Sequence, residues 1–286
     1  MKQKNKYPEY QQDISELSNI KNIFVSISKN CLEIKASSIS EGAYLSRMCL
    51  PVIISVNISI LISAIQSWME YHSFIELSLH AVAILLFSFL IFMFISQIKN
   101  NSNIVFNRKT QKCYVYYCGR KHINDVEDII ISGGKTTHIS VHRHDKEGRV
   151  ITGDIEIDEQ WNVQPIIYYI KKFLHEGVSD LPIPTSRYWA DLEKENVALP
   201  PFKALLHYAP WPFCGKVTDE FERTLKIYLW PLYTFLLFPL YTFLSLLWYP
   251  FTKVFNIKPH PVPEEAYEGD DSIRVTPEMA AKGIRP

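Results

Sequence analysis

Two long apolar runs dominate the pattern of hydrophobic and polar positions along the chain. They cover residues 48–68 and 77–98, and Glu70 and Glu76 are the only Asp, Glu, Lys or Arg residues from 48 to 98. Each run has about 20 residues, which as an α-helix is enough to cross a hydrocarbon core of about 30 Å. Since a helix satisfies its own backbone hydrogen bonds in lipid, the pattern predicts a transmembrane helical hairpin over residues 47–98.

A third apolar stretch covers residues 227–251 and is predicted to be embedded in the membrane. Tyr228 and Trp230 lie at one end and Trp248 and Tyr249 at the other, as in the aromatic belts of membrane helices. Its length suits a span, but Pro239 lies at its midpoint and basic residues flank both ends. These features favour a re-entrant or in-plane segment, and a spanning helix stays open as the alternative.

Shorter segments alternate apolar and polar side chains, which is typical of half-buried β-strands. Residues 22–28 and 31–37 form one predicted hairpin around Lys29 and Asn30, and residues 104–106 and 113–117 form another. Further strands are predicted over residues 125–132, 137–144 and 149–157. A helix follows, with Pro165 in its first turn and Gly177 as its stop.

These elements predict an α+β membrane protein. The strands form a small antiparallel sheet capped by the helix, a pleckstrin-homology-like order, with the transmembrane hairpin inserted between the second and third strands. Such an analogy at the level of the fold carries no function. The predicted organisation is an N-terminal tail with two strands (1–46), the hairpin (47–98), a cytoplasmic β domain with its capping helix (99–178), a connector rich in Pro and aromatic residues (179–226), the third membrane-embedded segment (227–251) and a Pro-rich acidic tail (252–286).

Charge placement predicts the orientation. Thirty Lys and Arg residues balance thirty Asp and Glu residues, so no net charge attracts the chain to nucleic acid. Lys and Arg flank the hairpin on both sides and are absent from the link between its helices. The positive-inside rule then places the N-terminus and the main soluble domain in the cytoplasm, with a multi-pass topology. The five Cys residues have no disulfide or metal spacing, which indicates free thiols in a reducing compartment.

Candidate chemistry is sparse. His138, His142 and His144 share one face of the predicted strand 137–144, but they are weak metal ligands because His138 and His142 lie about 13 Å apart along a strand. A solvated strand face is favoured for them. The same holds for an acidic set on the next strand, Asp154, Glu156 and Asp158. Since no nucleophile elbow, P-loop, dinucleotide-binding or HExxH motif occurs, we predict that the chain is not an enzyme and binds no cofactor.

One face of the first predicted membrane helix is polar. Ser55, Ser59, Ser63 and Gln66 share that face, and Asn57 lies roughly opposite it. Small residues at this spacing let helices approach closely, and the hydroxyl and amide groups can hydrogen-bond across the contact. Two interpretations stay open, namely packing within the hairpin and recognition of a transmembrane helix of another protein.

Three stretches resemble an uncharacterised family of bacterial inner-membrane proteins. They are IVFNRKTQKCYVYYCG from residue 104, IIYYIKKFLHEGVSDLP from residue 166 and IKPHPVPEE from residue 257, where the family usually has Trp-Pro in place of Val262-Pro263. Members of that family are commonly encoded beside type VI secretion and polymorphic-toxin effectors. The resemblance implies an immunity or effector-associated protein of the inner membrane, and it supplies no catalytic residues.

Two functions follow as expectations. The first is an immunity protein that binds and neutralises a membrane-acting, pore-forming type VI secretion effector, with membrane lipids and that toxin as partners. The alternative is a membrane-tethered adaptor whose pleckstrin-like domain binds a secretion component, a peptide or a lipid headgroup. Two interpretations are open for a set of basic residues, namely contact with anionic lipid headgroups and the positive-inside flank of the hairpin. The set consists of Arg108, Lys109, Lys112, Arg120 and Lys121. The oligomeric state is left open.

Overall fold

A computed structural model describes most of the chain. It covers residues 20–21, 23–133, 136–144, 148–158, 164–185, 197–213 and 220–286. The predicted N-terminal tail up to residue 19 and much of the predicted connector lie outside the described residues.

Two long helices form the predicted hairpin. Helix α1 spans Ser37–Tyr71 and α2 spans Phe74–Lys99, so two residues join them. The predicted boundary at residue 47 lies inside α1, because the helix continues N-terminally as a mixed apolar and polar segment whose Ile39 and Ala43 are buried in the core. A Cβ on Gly42 would lie 2.9 Å from the carbonyl oxygen of Phe94, so this glycine lets the two helices cross closely near the sheets.

Five strands form the first sheet, sheet A, in chain order: β1 (Phe24–Ile27), β2 (Cys31–Ile34), β3 (Ile104–Asn107), β4 (Lys112–Tyr117) and β5 (Arg120–Asp125). All neighbours are antiparallel. β2 pairs directly with β3, with Leu32 opposite Phe106, so the membrane hairpin is inserted between the second and third strands as predicted.

Three strands form the second sheet, sheet B: β6 (Ile130–Gly133), β7 (Thr137–His144) and β8 (Val150–Asp158). The single strand predicted over residues 125–132 is wrong, since a 3₁₀ turn at Val126–Asp128 separates β5 from β6. The alternation of apolar and polar residues did not predict β5, because its inward side chains include His122 and Asn124, which are polar but buried.

Helix α3 (Gln164–Glu176) closes the core between the sheets. Pro165 lies in its first turn and Gly177 follows its end with φ +83°, as predicted. The buried stripe on α3 includes Ile166, Tyr169 and Phe173, which join Ile34 of sheet A in one hydrophobic cluster.

The C-terminal part contains more helix than predicted. Helix α4 (Pro201–Tyr208) lies where an irregular connector was expected, and α5 (Glu220–Tyr228) follows. A continuous helical segment of 25 residues, Trp230–Val254, comes next, and we call it the C-terminal apolar helix. It consists of α6 (Trp230–Leu232), a π-helical turn (Tyr233–Leu237) and α7 (Phe238–Val254).

The chain does not reverse at Pro239, so the re-entrant form of the prediction is wrong. Proline lacks an N–H and its ring crowds the carbonyl four residues earlier. The π-helical turn immediately before α7 changes the hydrogen-bond register at that point, and the helix therefore continues through the proline.

The acidic tail packs on the outer face of sheet A. It forms a 3₁₀ turn at Glu264–Tyr267 and a short helix α8 (Pro277–Ala280). Ala266 is buried against Cys31, Val105 and Tyr114 of the sheet, and Val275 forms a β-bridge with Ile27 of β1. The tail, whose Pro-rich and acidic composition predicts an extended segment, is therefore a covering layer of the domain.

Candidate functional site

The polar residues of the hairpin divide into two groups. Asn57 donates from Nδ2 to the Oγ of Ser88 in α2 over 3.2 Å, and a ring nitrogen of His80 in α2 lies 3.1 Å from the Oγ of Ser63. These pairs hold the two helices of the hairpin together. For Asn57 and Ser63, the structure therefore supports packing within the hairpin.

The other three residues of the predicted recognition face point away from α2. Ser55, Ser59 and Gln66 are exposed, and the Oγ of Ser59 donates to the carbonyl of Ser55 within the helix. Buried Ile53 and Ala64 lie on the opposite side of α1, towards which Asn57 also points. A polar stripe thus lies on the outer surface of the hairpin, and we call Ser55, Ser59 and Gln66 the outer polar stripe.

A buried cluster of basic and aromatic residues lies where α1 meets the C-terminal helices. Arg47 is 6 % exposed, and its Nη1 donates to the Tyr208 hydroxyl over 2.5 Å. Lys226 is fully buried, donates to the carbonyl of His207 over 3.1 Å and lies 5.0 Å from the centre of the Tyr233 ring. Such a cation–π contact gains strength when the ammonium group is removed from water.

His207 is the neutral member of this cluster. Burial, then the nearby charges of Lys226 and Arg47, lower the pKa of His207 to about 3. Sequence reasoning missed this cluster because its members come from three distant segments. The available signal was Arg47, an isolated cation directly before a long apolar run.

The histidines of sheet B do not form a metal centre among the described residues. His138 lies 2.5 Å from the hydroxyl of Thr136, and His142 lies 3.2 Å from that of Thr152. The side chain of His144 lies outside the described residues. In the part of the chain that the structure describes, no group of three or more His, Cys, Asp or Glu side chains is placed to hold a metal ion.

The acidic residues of β8 sit on the same outer face of sheet B. Asp154 accepts a hydrogen bond of 2.6 Å from Ser140, and Glu156 pairs in register with His138. The side chain of Asp158 is not described. For the described members, the arrangement is a ladder of polar cross-strand contacts.

The predicted basic set is not brought together. Lys109 lies in the turn between β3 and β4, at the end of sheet A away from the membrane helices. Lys121 lies at the other end, close to where α2 ends, since Gly119 donates to the carbonyl of Asn100. Lys121 also forms an ion pair of 2.8 Å with Glu265 of the tail, which raises the pKa of Lys121 and lowers that of Glu265.

In comparisons with known proteins, no family model, curated protein or solved structure matches the chain. The structure itself defines the class. It is a mixed α+β protein with antiparallel sheets and three helices that are long and apolar enough to cross a membrane. This is consistent with a multi-pass membrane protein, while the bacterial inner membrane and the cytoplasmic position of the sheets stay predictions.

Proposed function

We propose that the chain is an inner-membrane immunity protein that binds and neutralises a membrane-acting, pore-forming effector. The observation that carries this proposal is the outer polar stripe. The Ser59 hydroxyl donates to a carbonyl of its own helix, but the amide of Gln66 and the hydroxyl of Ser55 on a lipid-facing surface are unfavourable in hydrocarbon unless another helix provides partners for them. Small residues at i and i+4, as Ser55 and Ser59 are, also allow close helix contact.

The short link between α1 and α2 supports the same function. The hairpin is joined by His72 and Ser73 alone, so the link itself adds almost no protein beyond that end of the two helices. A partner that approaches from that side meets the hairpin within the membrane. An effector that inserts apolar helices into the bilayer fits this geometry.

The test is affinity capture of the tagged full-length protein in mild detergent from cells that express it naturally, with mass spectrometry of the co-purified proteins. S59L and Q66L should lose a partner that carries apolar helices, because leucine removes the polar groups and fills the close-contact position. I58L is the matched control, since Ile58 is also exposed on α1 but apolar. Cells that express the captured protein should survive only with the wild-type chain or the I58L variant.

An unchanged partner in both leucine variants would exclude recognition through the stripe. A captured protein that is harmless to cells would exclude immunity even if the stripe binds it.

The second candidate is a membrane-tethered adaptor, which a cavity favours. The strands of the two antiparallel sheets come first in the chain and one helix follows them. For this order of elements we propose a pleckstrin-homology-like fold. At the end of sheet A away from the membrane helices lies an open cavity of about 440 Å³, lined by Lys29, Arg108, Glu176 and Arg285 among others. A soluble partner with acidic groups fits such a surface.

The charge-reversal variant K29E/R285E separates the two functions. Both cations are exposed and line the cavity. An adaptor should lose its partner in this variant and keep it in S59L. An immunity protein that binds through the outer polar stripe should show the reverse pattern.

A further inference from the structure

The C-terminal apolar helix has an antiparallel companion along most of its length. The Nε1 of Trp248 donates to the carbonyl of Val197 over 2.6 Å, and the Nε1 of Trp230 donates to that of Trp211 over 2.9 Å. Between these points the ring of Tyr208 stacks on that of Tyr241, with ring centres 5.5 Å apart. Residues 197–211 therefore follow the helix from near its C-terminal end to its N-terminal end.

This companion is unsuited to cross a bilayer. Its helix α4 has 8 residues, about 12 Å of length against a core of about 30 Å. The flanking residues 197–200 and 209–210 are not helical, and α4 carries Lys203. Some backbone groups of these flanks are hydrogen-bonded within the protein, such as the carbonyls of Val197 and Pro200. A non-helical segment cannot satisfy all of its own backbone groups, and each group left unsatisfied in hydrocarbon costs several kcal/mol. Residues 197–211 pack along the C-terminal apolar helix and are unsuited to cross the hydrocarbon core. The helix to which they are bound therefore does not cross the core either.

The contacts of the apolar helix with the rest of the fold also lie at the level where the hairpin meets the sheets. At its C-terminal end, Lys99 donates to the carbonyl of Phe255 over 3.3 Å, and Lys99 is the last residue of α2. At its centre, Tyr241 stacks on Tyr208, the residue that accepts the hydrogen bond of Arg47. Arg47 directly precedes the apolar run of α1.

The N-terminal end of the apolar helix is attached to the same cluster. Tyr233 lies against the buried ammonium group of Lys226, which is bonded to the carbonyl of His207. Lys226 belongs to α5, a segment that also contains Glu220, Glu222 and Arg223. If the helix crossed the bilayer, α5 and its charges would have to lie on the far side, separated by the hydrocarbon core from Arg47 at the sheet end of α1, whereas Lys226 and Arg47 both lie close to His207.

The outer surface of this helix pair is mostly apolar, with Lys203 of α4 as an exposed cation. Phe202 is 72 % exposed and Phe235 76 % exposed. Exposed large apolar residues recur on the C-terminal apolar helix at helical spacing, at Leu232, Phe235, Leu236, Leu240, Phe243 and Leu246. The opposite side, with Leu244 and Trp248, is buried against the protein. The hairpin likewise exposes large apolar residues along both of its helices, such as Leu61, Leu85 and Phe92, and since the hairpin is apolar enough to cross a membrane, the lipid bilayer is the expected occupant of the stripe as well.

We propose that the C-terminal apolar helix and α4 lie in the plane of the membrane boundary on the side of the two sheets, with the apolar stripe inserted among the lipid chains. Helices of this kind penetrate about 5–10 Å into the boundary. Both ends of the apolar helix then lie on the sheet side, and α1 and α2 are the segments that cross. The inference does not depend on the proposed function.

Cysteine labelling of the full-length protein in sealed membrane vesicles tests this arrangement. In a background with Cys49, Cys118 and Cys214 changed to serine, T224C and K258C report the two ends of the helix, and both positions are exposed. Restored Cys118, which is exposed in the turn after β4, reports the sheet side. H72C in the link between α1 and α2 reports the opposite side.

A membrane-impermeant maleimide should label T224C, K258C and Cys118 in vesicles of one orientation and H72C in vesicles of the other. Labelling of T224C together with H72C would show that the helix spans, and would overturn the proposal. Protection of T224C from both sides would place that end in the hydrocarbon core and would also overturn it. Cys113, which is buried in the core, must stay protected until SDS is added, which shows that each variant is folded.

Discussion

Asn57 of α1 and Ser88 of α2 form a side-chain hydrogen bond of 3.2 Å within the membrane hairpin. The pair fixes the register of the two helices at a point where the remaining contacts are between apolar side chains. Hydrogen bonds between membrane helices contribute about 0.6 kcal/mol on average and up to about 1.7 kcal/mol. The pair is therefore a measurable part of the hairpin's stability.

A double-mutant cycle measures this contribution. N57A and S88A should each destabilise the protein, and the double variant should lose less than the sum, with a coupling energy of about 0.6–1.7 kcal/mol. Equilibrium unfolding in mixed detergent gives the values. N57A with S78A is the matched control, because Ser78 bonds only to the carbonyl of Phe74 in its own helix. Equal coupling in both cycles would contradict a specific Asn57–Ser88 bond.

Gly177 should be difficult to replace. It has φ +83°, and a Cβ at this position would lie 2.7 Å from the Nη1 of Arg108. G177A should cost about 1–2 kcal/mol for the left-handed backbone and more for displacement of Arg108, which donates to the carbonyls of Leu174 and His175 at the end of α3.

G148A is the matched control for G177A. Gly148 has φ +77°, but no atom of the described residues lies within 4 Å of the position of its Cβ. Chemical denaturation should therefore show a larger loss of unfolding free energy for G177A. Equal losses would mean that the contact with Arg108 is unimportant and that backbone strain explains both.

His207 should make stability depend on pH. Burial lowers the pKa of the folded state to about 3, below the ordinary value of 6.5. The unfolded chain then binds more protons than the folded one as the pH falls through 6.5, so stability is lost on the acid side. The free energy of unfolding should be about 2 kcal/mol lower at pH 5 than at pH 8 from this group.

H207Q provides the control, because glutamine has no proton to gain in this range. Unfolding in detergent gives the free energy of unfolding of the wild type and of H207Q at each pH. Between pH 5 and pH 8, this free energy should change less with pH in H207Q than in the wild type. An equal pH dependence in both proteins would show that folding does not shift the pKa of His207.

Docking of the tail on sheet A should control the reactivity of Cys31. Burial and the charge of Asp270 raise the pKa of the Cys31 thiol to about 12, and Ala266 of the tail is fully buried beside it. A266R should displace the tail and let a thiol reagent label Cys31. Cys113 faces the core between the sheets and should stay protected in the same variant. Labelling of both thiols would indicate general unfolding and not release of the tail.

Much of the architecture could be predicted from the sequence because it depends on local patterns. The two apolar runs from residue 48 to 98 are long and nearly free of charge, and lipid permits little except a helix for such segments. The turn at Lys29 and Asn30 and the alternation around it likewise predicted the hairpin of β1 and β2. The stop at Gly177 followed from a left-handed position that glycine favours.

The errors have physical causes in tertiary context. β5 was missed because its inward residues, His122 and Asn124, are polar and are buried all the same. Pro239 favours a re-entrant or in-plane segment under a local rule for proline, and that rule does not include the π-helical turn that lets the helix continue here. The Pro-rich, acidic tail predicts an extended segment, whereas its burial depends on sheet residues more than 150 positions away, such as Asn107, which donates to the carbonyl of Ala266.

The candidate sites divide in the same way. Helical periodicity is a local property, so the sequence is sufficient to place Ser55, Ser59, Ser63 and Gln66 on one helix face. The bond between Ser63 and His80, and the outward position of Ser59 and Gln66, depend on how α2 packs against α1 and are visible in the folded protein alone. Folding likewise brings Arg47, His207 and Lys226 together, because contacts between distant segments arise from packing, which no local pattern of side chains records.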